Sequence, residues 1–353
     1  MFRAQLGLAQ KLRWMLDEFR LEHGGIVATG WFFCQFHRIE GVRFLIDGKR
    51  VVEANEIIAD QAINQLWNLL PASAWRFRLN ANVDASDGPF HTIELLPSGK
   101  SSEERSEASS WTIFDAERES DPFPPGDNIY RVIGNHATAS YQLGGATVAK
   151  RLDSYVRRLT GKGFSQIGPV LDWGCGCGRV SRYLRKLGCT DLVGADVDAT
   201  NVDWCRENMP WLDAKLIGFD PPMPFEDERF SLVFGISIFT HLREEAQFAW
   251  LSELGRVLKP GGLAILTVMT SHQLALQLSD AGTIEKLDDT GFLVTEDNDQ
   301  IHIGDGEVND YVNTYHSEGY IYENWQDNFD LVGIVPFLGA HQDAVVLRKR
   351  LVE

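Results

Sequence analysis

Three things are scarce in this 353-residue chain, and each scarcity removes a class of function. Positive charge is the first: 33 Lys and Arg stand against 50 Asp and Glu, a formal net charge of −17. A protein that grips phosphate backbones or an anionic membrane surface needs a basic face. No Lys/Arg block supplies one, so neither nucleic acid nor membrane is expected as a partner. Cysteine is the second. Cys34, Cys175, Cys177, Cys189 and Cys205 are odd in number and scattered, which builds no disulfide framework and suits a reducing compartment. Cys175 and Cys177 have no second pair at ligand spacing, so no metal is expected. The third is sustained apolar sequence. Arg3 and Lys11 are followed by Asp17 and Glu18 with no long hydrophobic run, so neither a signal peptide nor a membrane span is expected, and cytoplasm is the default.

What is present is a chain with room for two domains and a sizeable core, 44% hydrophobic and carrying ten Trp. Its organising stretch is Val170–Val180, V-L-D-W-G-C-G-C-G-R-V. A buried strand runs into glycines at 174, 176 and 178 and then into a helix over Arg179–Leu187. Glycine there permits positive φ and lets a ligand approach the backbone, and a helix starting near Gly178 or Arg179 turns free N–H groups toward what is bound. The spacing G-x-G-x-G is not the dinucleotide fingerprint G-x-G-x-x-G, and no G-K-[ST] follows to make a P-loop.

The first 118 residues read as β-rich. After a short amphipathic helix over residues 1–20, marked by Leu6, Leu8, Leu12, Met15 and Phe19, come short strands at Ile26–Phe36, Val42–Ile46, Trp75–Leu79, His91–Leu96 and Trp111–Phe114. Asp47-Gly48 is a hairpin turn, Gln61–Leu70 a helical insertion, and Ser98–Ser110 a polar loop. The whole predicts an antiparallel sandwich-like domain. Trp31 and Trp75 serve either its core or a sugar-stacking platform. Residues 119–130, rich in proline and charge, read as a linker, and 131–353 as an α/β domain.

In that second part Ala146–Leu159 has helical spacing, and strands are expected at Val170–Trp173, Leu192–Ala195, Ala214–Gly218, Arg229–Ile236, Leu263–Met269, Asp330–Pro336 and Asp343–Arg348. Asp196 closes the second strand about twenty residues after the glycine turn, where a carboxylate accepts ribose hydroxyls. It could instead cap the next helix, although Asp198 and Thr200 are available for that. Between 271 and 315 the pattern is irregular, with a helix at Leu274–Leu278 and extended runs at Gly291–Val294 and Gln300–Ile303, an insertion suited to a lid or acceptor wall.

Together, D-x-G-x-G-x-G, Asp196 and R-F-S-L-V-F-G-I-S-I-F-T-H-L…L-x-E-L-x-R-V-L-K-P-G-G-L resemble the class I S-adenosylmethionine-dependent methyltransferases. G-W-F-F…V-R-F-L-I-D-G-K further resembles a sandwich module beside methyltransferases and glycosyltransferases of bacterial surface-glycan clusters. The first resemblance implies a Rossmann-like sheet of seven mostly parallel strands and S-adenosylmethionine as cofactor. It places Asp172, Gly174, Cys175, Gly176, Gly178 and Tyr141 near the methionine end, Asp196 and Val197 at the ribose and adenine, Phe219 and Asp220 at the adenine, and Ser237 in the active-site wall. Tyr141 could equally pack against the sheet. No N-P-P-[YF] tetrapeptide and no obvious metal-binding trio of carboxylates is present, so planar amino acceptors and catechols are not indicated.

His241, leaving strand four, is the candidate general base, since imidazole works at neutral pH; it could also merely fix its loop. Tyr315, His316 and His272 are further acceptor-side candidates, with Phe239 and Tyr311 as pocket walls. The resulting expectation is methyl transfer to a small-molecule or saccharide hydroxyl. A natural-product or metabolite methyltransferase with the sandwich as scaffold or homodimer contact, a protein methyltransferase, and a non-enzymatic cofactor- or glycan-binding protein stay open as alternatives.

Overall fold

In the computed structural model the described residues are 12–22, 24–34, 42–62, 74–83, 88–97, 110–276, 281–295, 312–336, 338–339 and 341–351. Expectations for residues 1–11, 63–70, 98–109, 300–303 and Tyr311 lie outside them, as does the side chain of His272. The chain divides into two compact units, Met1–Ser120 and Asp121–Glu353.

The first unit holds β1 (Leu12–Glu22), β2 (Gly25–Cys34), β3 (Val42–Ile46), β4 (Arg50–Glu53), β5 (Glu56–Ala59), β6 (Ala74–Asn82), β7 (Phe90–Pro97) and β8 (Ser110–Phe114). They form two four-stranded antiparallel sheets, ordered β1-β2-β6-β5 and β4-β3-β7-β8. Trp14 and Phe77 of the first sheet meet Phe44 and Trp111 of the second, with ring centroids 4.8 to 6.4 Å apart. Buried aromatics on two facing sheets are what bind a sandwich. The expected helix over residues 12–20 is instead strand β1, paired along its length with β2. Its register shifts between Leu16 and Glu18, a bulge that puts Trp14 and Phe19 on the same buried face although they are five residues apart. That odd spacing breaks the two-residue alternation of a strand, while Leu12, Met15 and Phe19 fall at i, i+3 and i+7 and so read as a helix. Trp31 and Trp75 are only half-buried; Trp14 and Trp111 do the core packing.

The second unit opens with α1 (Gly126–Ile133) and α2 (Thr138–Thr160), then β9 (Val170–Trp173), α3 (Ser181–Lys186), β10 (Leu192–Asp196), α4 (Ala199–Asn208), β11 (Asp213–Leu216) and β12 (Phe230–Gly235). It continues through α5 (Glu244–Val257), β13 (Leu258–Val268), α6 (Ser271–Leu276), α7 (Ala281–Thr290), β14 (Phe292–Thr295), β15 (Asn313–His316), α8 (Glu318–Asn324), β16 (Phe329–Val335) and β17 (Asp343–Lys349). Seven strands make one sheet in the order β11-β10-β9-β12-β13-β17-β16. The first five are mutually parallel, and β17 runs antiparallel between β13 and β16. This is the Rossmann-like class I methyltransferase architecture. Parallel strands buried on both faces read as continuous apolar runs, and Leu171, Val193 and Val233 accordingly sit side by side in the core. Part of the stretch read as a linker is helical, since α1 begins at Gly126. Asp121 and Pro122 are also held within this unit, by Arg182, Lys186 and Trp211. Among the described residues no helix is long and apolar enough to cross a membrane.

Order reverses between β9 and β12, whose successors lie on opposite sides, and a crevice opens beyond the strand ends there.

Candidate functional site

The glycine turn is tied to the next strand by its own backbone. The N–H groups of Gly174 and Cys175 both reach the Ala195 carbonyl, at 2.7 and 3.1 Å. Gly174 has φ +77°, and a Cβ there would stand 2.1 Å from Cδ1 of Ile238. No other residue fits that position. Gly178 serves a different contact: a Cβ would stand 2.0 Å from Cε of Met209, so it lets the turn pack on the chain after α4 rather than face the crevice. The helix itself starts at Ser181, two residues later than expected.

Asp196 is fixed by two backbone donors, Gly176 N–H to Oδ2 at 2.7 Å and Asp198 N–H to Oδ1 at 2.8 Å. Burial raises its pKa, while these hydrogen bonds pull the other way. The cap of α4 is Asp198, which accepts from Thr200 N–H at 3.0 Å and also pairs with Arg131. Asp196 is thus free of the capping duty and lines the crevice. Asp172 accepts a 2.6 Å hydrogen bond from Ser181 Oγ. Burial lifts its pKa to about 7, against the hydrogen bond and the Arg179 charge.

Ser237 stands where β12 ends, in a left-handed conformation with φ +63°. Its N–H donates to Thr267 Oγ1 (2.7 Å), and its Oγ and that of Thr267 both donate to Gln342 Oε1, at 3.1 and 2.6 Å. A non-glycine residue held in this region is strained, and such strain gathers at functional sites. His241 follows. Its Nδ1 donates to the Val312 carbonyl at 3.0 Å, which selects the tautomer whose Nε2 carries a lone pair. Burial lowers its pKa, keeping the ring neutral.

The crevice is lined by Asp172, Gly174, Cys175, Gly176, Asp196, Ser237 and His241 of the expected set. The other expected residues are elsewhere. Tyr141 is fully buried beneath the turn, its hydroxyl donating to the Cys177 carbonyl at 2.8 Å, so it props the turn from behind. Val197 packs against the main core cluster. Phe219 is 61% exposed and Asp220 is exposed too. Tyr315 belongs to a small apolar cluster with Met269, Leu274, Leu287 and Leu293. His316 is fully buried, donates from Nε2 to Gln247 Oε1 at 2.8 Å, and has its pKa driven down to about 3 by burial. A ring so enclosed is a core residue, not a proton carrier. Phe239 is likewise buried, against Trp173 and Trp325. Among the described residues no cluster of His, Cys, Asp and Glu could hold a metal ion.

Sequence reasoning missed Arg131, Arg179, Asn201 and Ile238, which also line the crevice, and Gln342 behind Ser237. Arg179 directly follows the last glycine and was readable as part of the turn. Nothing in the spacing of Ser237 and Gln342, 105 residues apart, signals their contact.

The residues present suit S-adenosylmethionine. Gly174 leaves a surface a Cβ would fill, Asp196 presents a fixed carboxylate for a diol, and Asp172 stands beside the turn for an ammonium group. Comparison with known proteins agrees. The sequence profile of a methyltransferase-domain family matches residues 170–262. The phthiotriol/phenolphthiotriol dimycocerosates methyltransferase 1 of Mycobacterium ulcerans is 34% identical over 110 residues, 30% of this chain and 40% of that protein. The malonyl-(acyl-carrier protein) O-methyltransferase of Salmonella typhimurium is 28% identical over 141 residues, 39% of this chain and 52% of that one. The chloroplastic tocopherol O-methyltransferase of Arabidopsis thaliana is 30% identical over 138 residues, 36% and 39% respectively. The chain therefore spans about half or less of these relatives' length.

Proposed function

We propose that this chain, whose second unit has the class I S-adenosylmethionine-dependent methyltransferase fold, moves a methyl group from that cofactor to a hydroxyl of a small molecule, with saccharides the preferred class. The observation that carries the reading is one continuous crevice that has Asp196 on its β10 side and His241 on its β12 side. Two of the relatives are named O-methyltransferases, and the sandwich resemblance to glycan-cluster proteins supports the saccharide.

The cofactor supplies an activated methyl on a sulfonium. Asp196 would hold its ribose, the turn at Gly174 and Gly176 its amino-acid portion, and Asp172 its ammonium. Ser237 and Ile238 wall the β12 side. A hydroxyl attacks in line and must lose one proton. His241 Nε2 is the acceptor for it, with the charge that develops on the ring shared through Nδ1–H to Val312 O. Holding the hydroxyl in place supplies much of the acceleration, because positioning replaces a bimolecular encounter.

The test is a labelled-methyl assay of the full chain against hydroxyl-bearing saccharides and metabolites. Incorporation that dies with Asp196→Ala supports the reading; no incorporation into any hydroxyl, with incorporation into amines or protein, overturns the acceptor assignment.

A further inference from the structure

His241 stands in the turn between β12 and α5, where residues 236–243 belong to no strand or helix. Backbone carbonyls there have no ladder or helical partner, and buried ones must find a donor elsewhere. The donors come from two distant parts of the chain. Thr314 of β15 gives its N–H to the Thr240 carbonyl at 2.9 Å and its hydroxyl to the Phe239 carbonyl at 2.7 Å. Gln247 of α5 gives Nε2 to the Phe239 carbonyl at 3.3 Å and to the Leu242 carbonyl at 2.8 Å. The residues on both sides of His241 are therefore clamped, while the ring itself is tied through Nδ1 to the Val312 carbonyl at 3.0 Å.

The clamp is itself oriented. His316 Nε2 donates to Gln247 Oε1 at 2.8 Å, which turns the nitrogen of that amide toward the turn. The His316 N–H holds β15 on the Met269 carbonyl beyond the end of β13, at 2.8 Å, and β15 pairs along its length with β14. Gln247, Thr314 and His316 are at most 1% exposed, so these hydrogen bonds meet little competition from solvent. The stretch after β13, expected as a lid or acceptor wall, thus reaches the candidate base directly through Val312 and Thr314 and indirectly through His316 and Gln247. A proton acceptor needs one ring nitrogen bare, and which one is set by what the other nitrogen binds. Nδ1–H on Val312 leaves Nε2 bare, but that bond lasts only while the turn and β15 keep their separation. The clamp spans the two.

We propose that Gln247 and Thr314, with His316 behind Gln247, are positioning residues for His241: they hold the turn against β15 so that the ring keeps its Nδ1 proton on Val312 and offers a bare Nε2 to the hydroxyl being methylated. This rests on the reading of His241 as proton acceptor given above. None of the three lines the crevice, so they act through His241 and not on the acceptor. The insertion after β13 is then part of the transfer machinery as well as a wall.

The test is nitrogen NMR of the full chain, labelled at histidine, saturated with S-adenosylhomocysteine and held in alkaline buffer where the ring is neutral. His241 is assigned from the signals lost in His241→Gln. The parent ring is expected with Nδ1 protonated and Nε2 bare. Gln247→Met removes the amide donor that bridges the two sides of the turn, and the ratio of Nδ1–H to Nε2–H tautomers should fall by roughly three- to tenfold, the worth of one hydrogen bond. Thr314→Val should lower the ratio in the same direction, and Thr314→Ser, which keeps the hydroxyl, should restore it. General loosening of the fold would not be rescued by a hydroxyl alone. Affinity for S-adenosylhomocysteine should stay within about threefold in every variant, as none of the three residues lines the crevice. Should Gln247→Met unfold, the two Thr314 variants carry the test. Parent ratios in Gln247→Met and Thr314→Val overturn the proposal alone, as does an equal fall in Thr314→Val and Thr314→Ser. A parent ring protonated on Nε2 overturns it together with the proton-acceptor role, and failure of S-adenosylhomocysteine to bind the folded parent overturns the methyltransferase reading beneath both.

Discussion

Asp172→Asn should make the second unit more stable at neutral pH, although it removes a carboxylate from the base of the glycine turn. Asp172 is 2% exposed, and burial lifts its pKa from an ordinary 3.8 to about 7. A carboxyl whose folded pKa lies above its unfolded one holds its proton better in the folded state. Its contribution is therefore fully present below about pH 4 and is lost as pH rises through 7. At 1.36 kcal/mol per pH unit the full loss is about 4 kcal/mol, and between pH 5 and 7 about 2–3 kcal/mol. Asparagine keeps an oxygen for the Ser181 hydroxyl and has no proton to lose. The two-unit chain makes global denaturation ambiguous, so the assay is hydrogen exchange at the β9 amides of Val170–Trp173, corrected for intrinsic pH dependence. Protection in the variant should gain on the parent by about 2–3 kcal/mol from pH 5 to 7. Parallel curves over that range would refute the reasoning, because they would mean that Asp172 is ionised throughout.

Three further outcomes follow from the same geometry. His241→Gln should lower kcat by roughly 10²–10⁴-fold on a hydroxyl acceptor while S-adenosylhomocysteine affinity stays within threefold; full turnover would reduce His241 to a loop-fixing residue. His316→Gln should flatten the acid limb of stability. The ring's folded pKa of about 3 lies below its ordinary 6.5, so stability is lost as pH falls through 6.5. From pH 7 to 5 the parent should lose about 2 kcal/mol more than the variant in urea melts of the isotopically followed second unit, and an equal loss would contradict a buried neutral ring. Gly178→Ala should cost about 1–2 kcal/mol for its positive φ and about 1–3 for crowding Met209, read as a lower Tm; a loss confined to about 1–2 kcal/mol would show that Met209 moves aside freely, and an unchanged Tm would contradict both costs.

The sheet that carries the site was legible because it is parallel and covered on both faces. β9 was located to the residue, and β10 and β12 to within one residue at each end, from uninterrupted apolar runs. Strands β4 and β5 escaped notice since Arg50–Glu53 and Glu56–Ala59 lie at sheet edges and are largely exposed, leaving no apolar alternation to see. β1 was misread for the opposite reason: its apolar residues are clear, but a bulge breaks their two-residue alternation, and Leu12, Met15 and Phe19 fall at helical spacing. Within the site, Asp196 and His241 were readable from their places at strand ends. The separation of Tyr141, Tyr315 and His316 from the crevice was not, because facing the crevice or facing the core is decided by packing that a linear pattern does not contain. Arg179 was overlooked for the same reason: that its side chain lines the crevice is decided in three dimensions.

The central claim is that the crevice beyond β9 and β12 binds S-adenosylmethionine. Calorimetric titration of the full chain with S-adenosylmethionine and S-adenosylhomocysteine tests it most directly. Saturable binding of one molecule per chain, weakened at least tenfold by Asp196→Ala in a variant that stays folded, is the predicted result. Absence of binding by either compound to the folded parent would contradict it.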